Sequence, residues 1–498
     1  MKRKVLSRLL AASMATVMTV GLAGCGNDSG NSGQGSTPNN SSNPGSQQAS
    51  GGSDTQQGGG SGDEEVSKYT VLKDENGNVY DLGGIEVQIR DWFHTDRDPV
   101  DGYEEERDEY REWAQKTYNF TVKEVAMGDW GSNHGDYQDY VTTGGDNNNY
   151  VFVLHSGAAN LTMMQNNLMY DLSTLSCLDF SQEQYQASKL HEMYGNHATG
   201  AIYAMRPMHI EPRGGVYFNK RLMEEANIDW TEFYKLVENN QWTWDKFVEY
   251  CEKIHKDTDN DGVIDRWALV GEESEIKNGA VASNHAEYIG YENGKFVNKT
   301  EDPATLESLN WALDLMDKYL YKPEGAEWNW FVEAFQTGKT AFCIDAVYRA
   351  SGDYGPDKMS DDFGFLPYPM SPNVKSYISF ADDNLYVIPS CYDADRAWKI
   401  AFAFDQWCTV VPGWEGYNEQ VSGFYSSFRD AESVDISIKA VSNGAVKNNH
   451  GAVPGIDFGN DYLYGIATGA ATPQQKAEEC RDKWDDLIDK ANQGIWPE

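Results

Sequence analysis

The sequence predicts an α/β fold with a largely parallel sheet, and three observations carry that reading. Strand-like segments alternate with helical ones over residues 85–154, the order that parallel sheets require. Tyr150-Val151-Phe152-Val153-Leu154 is a continuous apolar run, as expected of a strand buried on both faces. The C-terminal segment has the caps and spacing of an amphipathic helix. Taken in order, Asn76-Gly77 between Tyr69-Thr70-Val71-Leu72 and Val79-Tyr80 reads as a hairpin turn. Ile85 to Arg90 alternates as a strand, a polar cluster runs from Asp91 to Asp101, and a charged helix spans about Tyr103 to Tyr118. Phe120 to Val125 is a second strand. Thr243 can cap a helix whose apolar Phe247, Val248, Cys251 and Ile254 face a core, so Trp242 and Trp244 beside it read as packing residues. Near the end, Thr472 is an N-cap, Pro473 suits the first helical position, and Gln475 completes a capping box. Ala477, Cys480, Trp484, Leu487, Ile488 and Ala491 keep helical spacing until Gly494.

The chain has 498 residues, 40% hydrophobic and 13% aromatic, which supports a core and excludes collagen-like, coiled-coil and wholly disordered classes. A net charge of −38 argues against nucleic acid and anionic lipid, since both need basic patches. Lys2, Arg3, Lys4 and Arg8 precede an apolar segment at 9–21, and Leu22-Ala23-Gly24-Cys25 reads as a bacterial lipobox. Residues 1–24 are thus an export signal, and Cys25 is the acylated first residue of a lipid-anchored mature chain. Residues 25–65 are Gly, Ser, Asn and Gln with almost nothing apolar, a disordered tether with an r.m.s. span of roughly 35 Å. Six further cysteines are scattered without a CxxC, and most sit in apolar settings as small buried residues.

Catalytic signatures are missing: there is no HExxH, no GxSxG and no GxGxxG after a strand. Gly338-Lys339-Thr340 resembles the end of a P-loop, but Glu333 stands where the first glycine must be. The sharpest local motif is a calcium loop. Asp257, Asp259 and Asp261 occupy positions 1, 3 and 5, Gly262 makes the turn at 6, Val263 offers its carbonyl at 7, and Asp265 stands at 9. Position 12 is Ala268 rather than Glu, so a remote acid would have to complete the shell, with Glu272 or Glu273 nearest. A structural Ca²⁺ is the expectation; an Asp/Asn/Gly-rich turn that binds nothing is the alternative.

Four stretches then carry a family resemblance: Gly214-Gly215-Val216-Tyr217-Phe218-Asn219-Lys220-Arg221-Leu222-Met223; Gln241-Trp242-Thr243-Trp244-Asp245-Lys246-Phe247; the aspartate loop; and Thr337 to Phe342 through Phe363-Gly364-Phe365-Leu366-Pro367-Tyr368-Pro369. Over about residues 80–498 the chain resembles the family 1 extracellular solute-binding proteins, the sugar-type receptors of ABC importers. The resemblance implies a two-lobed periplasmic-binding-protein-like fold with hinge strands, lobe 1 from 66–213 with 376–409 and lobe 2 from 214–375 with 410–498. It implies no enzymatic activity, a monomer, a carbohydrate ligand held in the cleft, and delivery to permease subunits at the extracellular face of the cell membrane. In such sheets ligands sit beyond the strand ends. Candidate contacts are therefore Asp91 and Trp92, His155, Glu211 ahead of a hinge strand, Tyr348 and Arg349 after the strand at 342–344, and Asp383 before a return strand. Trp330 and Trp414 in polar or Gly-rich loops complete the set. Fifteen Trp and 29 Tyr favour an oligosaccharide, for which aromatic faces are the expected lining. A secreted carbohydrate-active enzyme with structural calcium, or a surface glycan-binding protein without a transport role, are the competing readings.

Overall fold

A computed structural model describes residues 68–93, 102–381, 384–442, 444–447, 449–467 and 470–495. The export signal, Cys25, the polar tether and Asp383 lie outside the described residues. Strand β1 (Ile85–Asp91) leads through α1 (Gly102–Tyr118) to β2 (Phe120–Ala126), and α2 (Asn133–Thr142) leads to β3 (Asn149–Leu154), which runs on into α3 (Ala158–Gln165). β1 lies between β2 and β3 and parallel to both, with Val87 opposite Val122 on one side and Asn149 on the other. The apolar run in β3 is explained by two cores. Val151 and Val153 pack with Val87, Tyr110, Tyr118 and Ile400, while Tyr150, Phe152 and Leu154 face away from them toward Tyr137, Val141 and Met163.

The chain then crosses into β4 (Gly214–Asn219), α4 (Trp244–Ile254), β5 (Trp267–Gly271), α5 (Glu273–Ser283), α6 (Trp330–Gln336), β6 (Thr340–Ala346) and β7 (Phe363–Leu366). This second sheet runs β7-β4-β6-β5, and only β6 with β5 is parallel; β4 is antiparallel to both of its neighbours. The expectation of a largely parallel sheet therefore holds for the first lobe and fails here. β4 brings the chain in from the hinge, so it starts at the edge where β5, β6 and β7 end. Its Gly214-Gly215 start is also explained, because a Cβ on Gly215 would stand 2.4 Å from the Leu366 carbonyl oxygen and 2.5 Å from the Phe365 ring.

β8 (Leu385–Val387) returns to the first sheet, antiparallel to β3 with Leu385 opposite Leu154. α7 (Ala394–Cys408) packs on that sheet, and the chain ends in the second lobe in α8 (Pro473–Asn492), whose Thr472–Gln475 capping box is formed. Thr243 caps α4 as expected, and both tryptophans beside it are buried: Trp242 Nε1 donates to the Pro367 carbonyl at 2.9 Å and Trp244 Nε1 to Ser283 Oγ at 3.0 Å. The Asn76-Gly77 turn is present with Gly77 at φ +82°, but its flanks make only a single bridge, Lys73 to Val79. Leu72 and Val79 stay exposed there, so a longer hairpin would have no apolar face to bury. The six described cysteines are all free thiols. An apolar seam also joins the lobes, since Leu190 and Tyr194 share a core with Ala452, Tyr288 and Trp484. No described helix is long and apolar enough to cross a membrane.

Candidate ligand-binding site

Two cavities lie where the ends of the two sheets face each other. The larger, about 760 Å³, is walled by Phe93 after β1, Val125 in β2, Glu104 and Arg107 of α1, and Glu211 of the crossing segment; Tyr348 and Trp414 close it. The smaller, about 320 Å³, is walled by Ser156 and Gly157 after β3, Arg213, Ser274 and Glu275 of α5, and Tyr464. The Arg213 guanidinium carbon lies 5.3 Å from the Tyr348 ring centre, so this pair stands between the two spaces. Arg213 is itself held by Glu275, Nε to Oε1 at 3.3 Å.

Aromatic rings gather at the strand ends. Trp130 stacks on His155 with centroids 4.2 Å apart and planes at 16°, while Trp92 meets the same imidazole edge-on at 5.7 Å and Phe93 at 5.0 Å. His134 lies 3.9 Å from His155, and burial, with the neighbouring imidazole, pushes its pKa down to about 4. Phe93, Trp130, Tyr348 and Tyr464 each keep more than half their surface exposed. That is unusual for rings this large, and all four stand at strand ends or cavity walls.

The structure brings Glu211, Tyr348 and Trp414 to one cavity, with Trp414 packed on Tyr103 and Tyr417 at 5.5 and 5.0 Å. Trp92 and His155 belong to the aromatic group. Asp91 is buried at the end of β1, and its Oδ1 accepts the Phe93 N–H at 3.2 Å. Asp91, Trp92, His155, Trp330 and Arg349 line neither cavity. Arg349 is buried in ion pairs, Nε to Asp345 Oδ1 at 2.9 Å and Nη1 to Asp353. Asp345 also accepts the Tyr354 hydroxyl at 2.7 Å, and burial pushes its carboxyl up to about 6 against the pull of Arg349. Trp330 spends its Nε1–H on the Tyr321 carbonyl at 3.0 Å, leaving Trp328 as the exposed ring of that loop.

Two residues were missed by sequence reasoning. Trp130 follows β2 in Gly128-Asp129-Trp130-Gly131, so the strand-end rule that pointed to Asp91 and His155 could have found it. Tyr464 sits on a short turn anchored from below by buried Lys277, whose Nζ donates to the carbonyls of Leu463 at 3.0 Å and Ile466 at 2.9 Å. No local pattern announces that.

The hinge crossing is pinned to the segment that returns after α7. His209 gives its backbone N–H to Glu419 Oε1 and its Nδ1–H to Oε2, each at 2.7 Å. The hydrogen bond raises the imidazole above its ordinary value, and His209 holds the Glu419 carboxyl low against burial.

In the aspartate loop, carboxylate oxygens of Asp257, Asp259 and Asp265 lie within 4.8 Å of one another. Asp261 stands outside that group and accepts the Val263 N–H at 2.8 Å; the Val263 side chain is exposed. Asp257 accepts the N–H groups of Asn260 at 2.7 Å and Gly262 at 2.8 Å, and Gly262 has φ +91° as the sixth position requires. Thr258, hydrogen-bonded to Asp265, holds that carboxyl low. Ala268 is buried in β5, and Glu272 and Glu273 lie beyond the far end of that strand, about 17 Å away at 3.3 Å per residue, so neither closes the shell.

Residues 180–409 match the family described as bacterial extracellular solute-binding protein. No curated protein sequence matches the chain. Among solved structures, a cyclo/maltodextrin-binding protein complexed with maltotetraose is 13% identical, covering 83% of this chain and 98% of its own, with a TM-score of 0.50. The GacH receptor of Streptomyces glaucescens, solved unliganded and with acarbose, is 15% identical over 81% of this chain and 99% of its own, TM-score 0.49. An ABC substrate-binding protein from Listeria monocytogenes in complex with cycloalternan is 14% identical over 82% and 99%, TM-score 0.48. At such identities the first of these likenesses shows the fold, two lobes about a cleft. The family and these neighbours are binding proteins rather than enzymes. Over residues 180–409 the chain is thus similar to the bacterial extracellular solute-binding proteins, and it shares the two-lobed fold of the cyclo/maltodextrin-binding protein.

Proposed function

We propose that the protein is a monomeric, lipid-anchored receptor at the extracellular face of the cell membrane. It captures an oligosaccharide in the interlobe cleft and delivers it to the permease subunits of an ABC importer. The observation that carries this reading is the set of exposed rings Phe93, Tyr348 and Tyr464 on the walls of cavities that also hold Glu211, Arg213 and Glu275, with exposed Trp130 stacked on His155 after β3. Sugar C–H faces stack on aromatic rings, and sugar hydroxyls need charged or polar partners close by. Two cavities along one cleft suit a ligand of several sugar units, and the cyclo/maltodextrin-binding protein of the same fold was solved with maltotetraose. The lipobox at Leu22-Ala23-Gly24-Cys25 supports anchoring through acylated Cys25. Asp257, Asp259 and Asp265 would hold a structural Ca²⁺ at the end of β5 away from the cleft, tying a loop and taking no part in ligand capture. The experiment is a glycan array probed with purified protein, followed by calorimetry on the best hits and on maltotetraose. Saturable binding without cleavage supports the proposal; no glycan bound, or time-dependent cleavage, overturns it.

A further inference from the structure

We infer that His155 meets its ligand as a hydrogen-bond acceptor, its ring locked with the proton on Nδ1 and the Nε2 lone pair left for a hydroxyl or ammonium group. The ligand half of this rests on the carbohydrate reading of the cleft; the tautomer rests on the geometry of the free protein. His155 directly follows β3, and its Nδ1 lies 2.9 Å from the Ser156 carbonyl oxygen. A carbonyl oxygen has only lone pairs to offer, so the ring nitrogen must supply the proton. A neutral imidazole protonated at Nδ1 carries its lone pair at Nε2. No described group donates to that atom.

The ring is fixed from several directions. The His155 N–H donates to Asn133 Oδ1 at 3.3 Å, and its carbonyl accepts from Asn160 Nδ2 and from His134 Nε2, each at 2.9 Å. Trp130 lies on the imidazole at 16°, and Trp92 stands against it edge-on. His134 is neutral at ordinary pH, so it adds no positive charge that would draw an anion to this place. The outcome is a lone pair beside Trp130, whose ring is 61% exposed. A sugar hydroxyl or an amino group can donate to it while the sugar face rests on Trp130. A carboxylate or phosphate would bring lone pairs against a lone pair and is rejected at this position. The ligand class at this end of the cleft is therefore a neutral or amino sugar, not a uronate.

The test begins on the free protein, with long-range ¹⁵N–¹H spectra of histidine-labelled chain in mildly alkaline buffer, the His155 signal assigned by its loss in His155→Phe. The Nδ1–H pattern is expected; an Nε2–H pattern overturns the inference whatever the ligand. Binding is then read on an array of neutral, amino and uronic oligosaccharides. His155→Phe keeps an aromatic partner for Trp130 and should bind the best neutral or amino ligand about tenfold more weakly, the size of one lost hydrogen bond. His155→Gln, whose amide oxygen can accept, should recover much of that loss. Equal affinity in wild type and His155→Phe, or a wild-type preference for uronic glycans, overturns it. If the wild type holds no glycan, the carbohydrate reading fails, and the ¹⁵N spectrum still decides the tautomer.

Discussion

Replacing Trp130 with alanine should separate binding from folding. The indole is 61% exposed in the free protein. Taking about 250 Å² for a Trp side chain, roughly 150 Å² of it is open to solvent. A sugar resting on one face would cover about half of that, or ~75 Å², which at ~25 cal/mol per Å² contributes about 2 kcal/mol. The expected loss is thus about 30-fold in affinity, since 1.4 kcal/mol is tenfold. Stability should hardly change, because an exposed side chain leaves no cavity and such substitutions stay within about 0.5 kcal/mol. Calorimetry with the best array ligand, alongside urea denaturation, reads both quantities. Unchanged affinity would refute the stacking role of this ring. A large fall in the urea midpoint would show that Trp130 is held for the fold.

Arg349→Gln should behave in the opposite way: stripping the partner from buried Asp345 should cost about 3–5 kcal/mol in denaturation experiments, and a loss under about 1 kcal/mol would contradict the buried pair. The His209–Glu419 pair makes stability depend on pH. His209 titrates above its ordinary value of 6.5 when folded, so its contribution is complete below that value and is lost as pH rises through the raised one. The urea midpoint should fall as pH rises from the ordinary histidine range through the raised value, and His209→Gln should remove that slope; an unchanged slope would dismiss the pair as its source. Chelator should lower the melting temperature if Ca²⁺ binds only the native loop, and Asp259→Ala should abolish the response; no response to added Ca²⁺ would leave the loop a turn. Cys25→Ala should leave a folded protein that escapes into the medium, and its retention in membranes would contradict anchoring at that residue.

The parts of the fold that were legible are those written locally. The Tyr150–Leu154 run is apolar because both of its faces are buried, and Thr472 with Gln475 form a cap within four residues. Strand direction in the second lobe was not legible, because β4 runs antiparallel only as a result of where the hinge delivers the chain. Position after a strand put Tyr348 on a cavity wall and Trp92 against His155 in the aromatic group, and it also put Arg349 forward. The acids that bury Arg349 stand four residues to either side, Asp345 and Asp353, so its fate could have been read from spacing. Which tryptophan of the 328–330 loop stays exposed depends on the Tyr321 carbonyl, and the turn that presents Tyr464 depends on Lys277, 186 residues before Leu463 in sequence. Neither partnership leaves a local trace.

The central claim is that this cleft holds a carbohydrate and does not alter it. Calorimetry of the purified protein with maltotetraose and with each array hit, followed by chromatography of the recovered glycan, tests it most directly. The account predicts saturable one-to-one binding of at least one oligosaccharide, weakened by Trp130→Ala, with the glycan recovered intact. Absence of heat with every glycan tested, or recovery of shortened products, would contradict it.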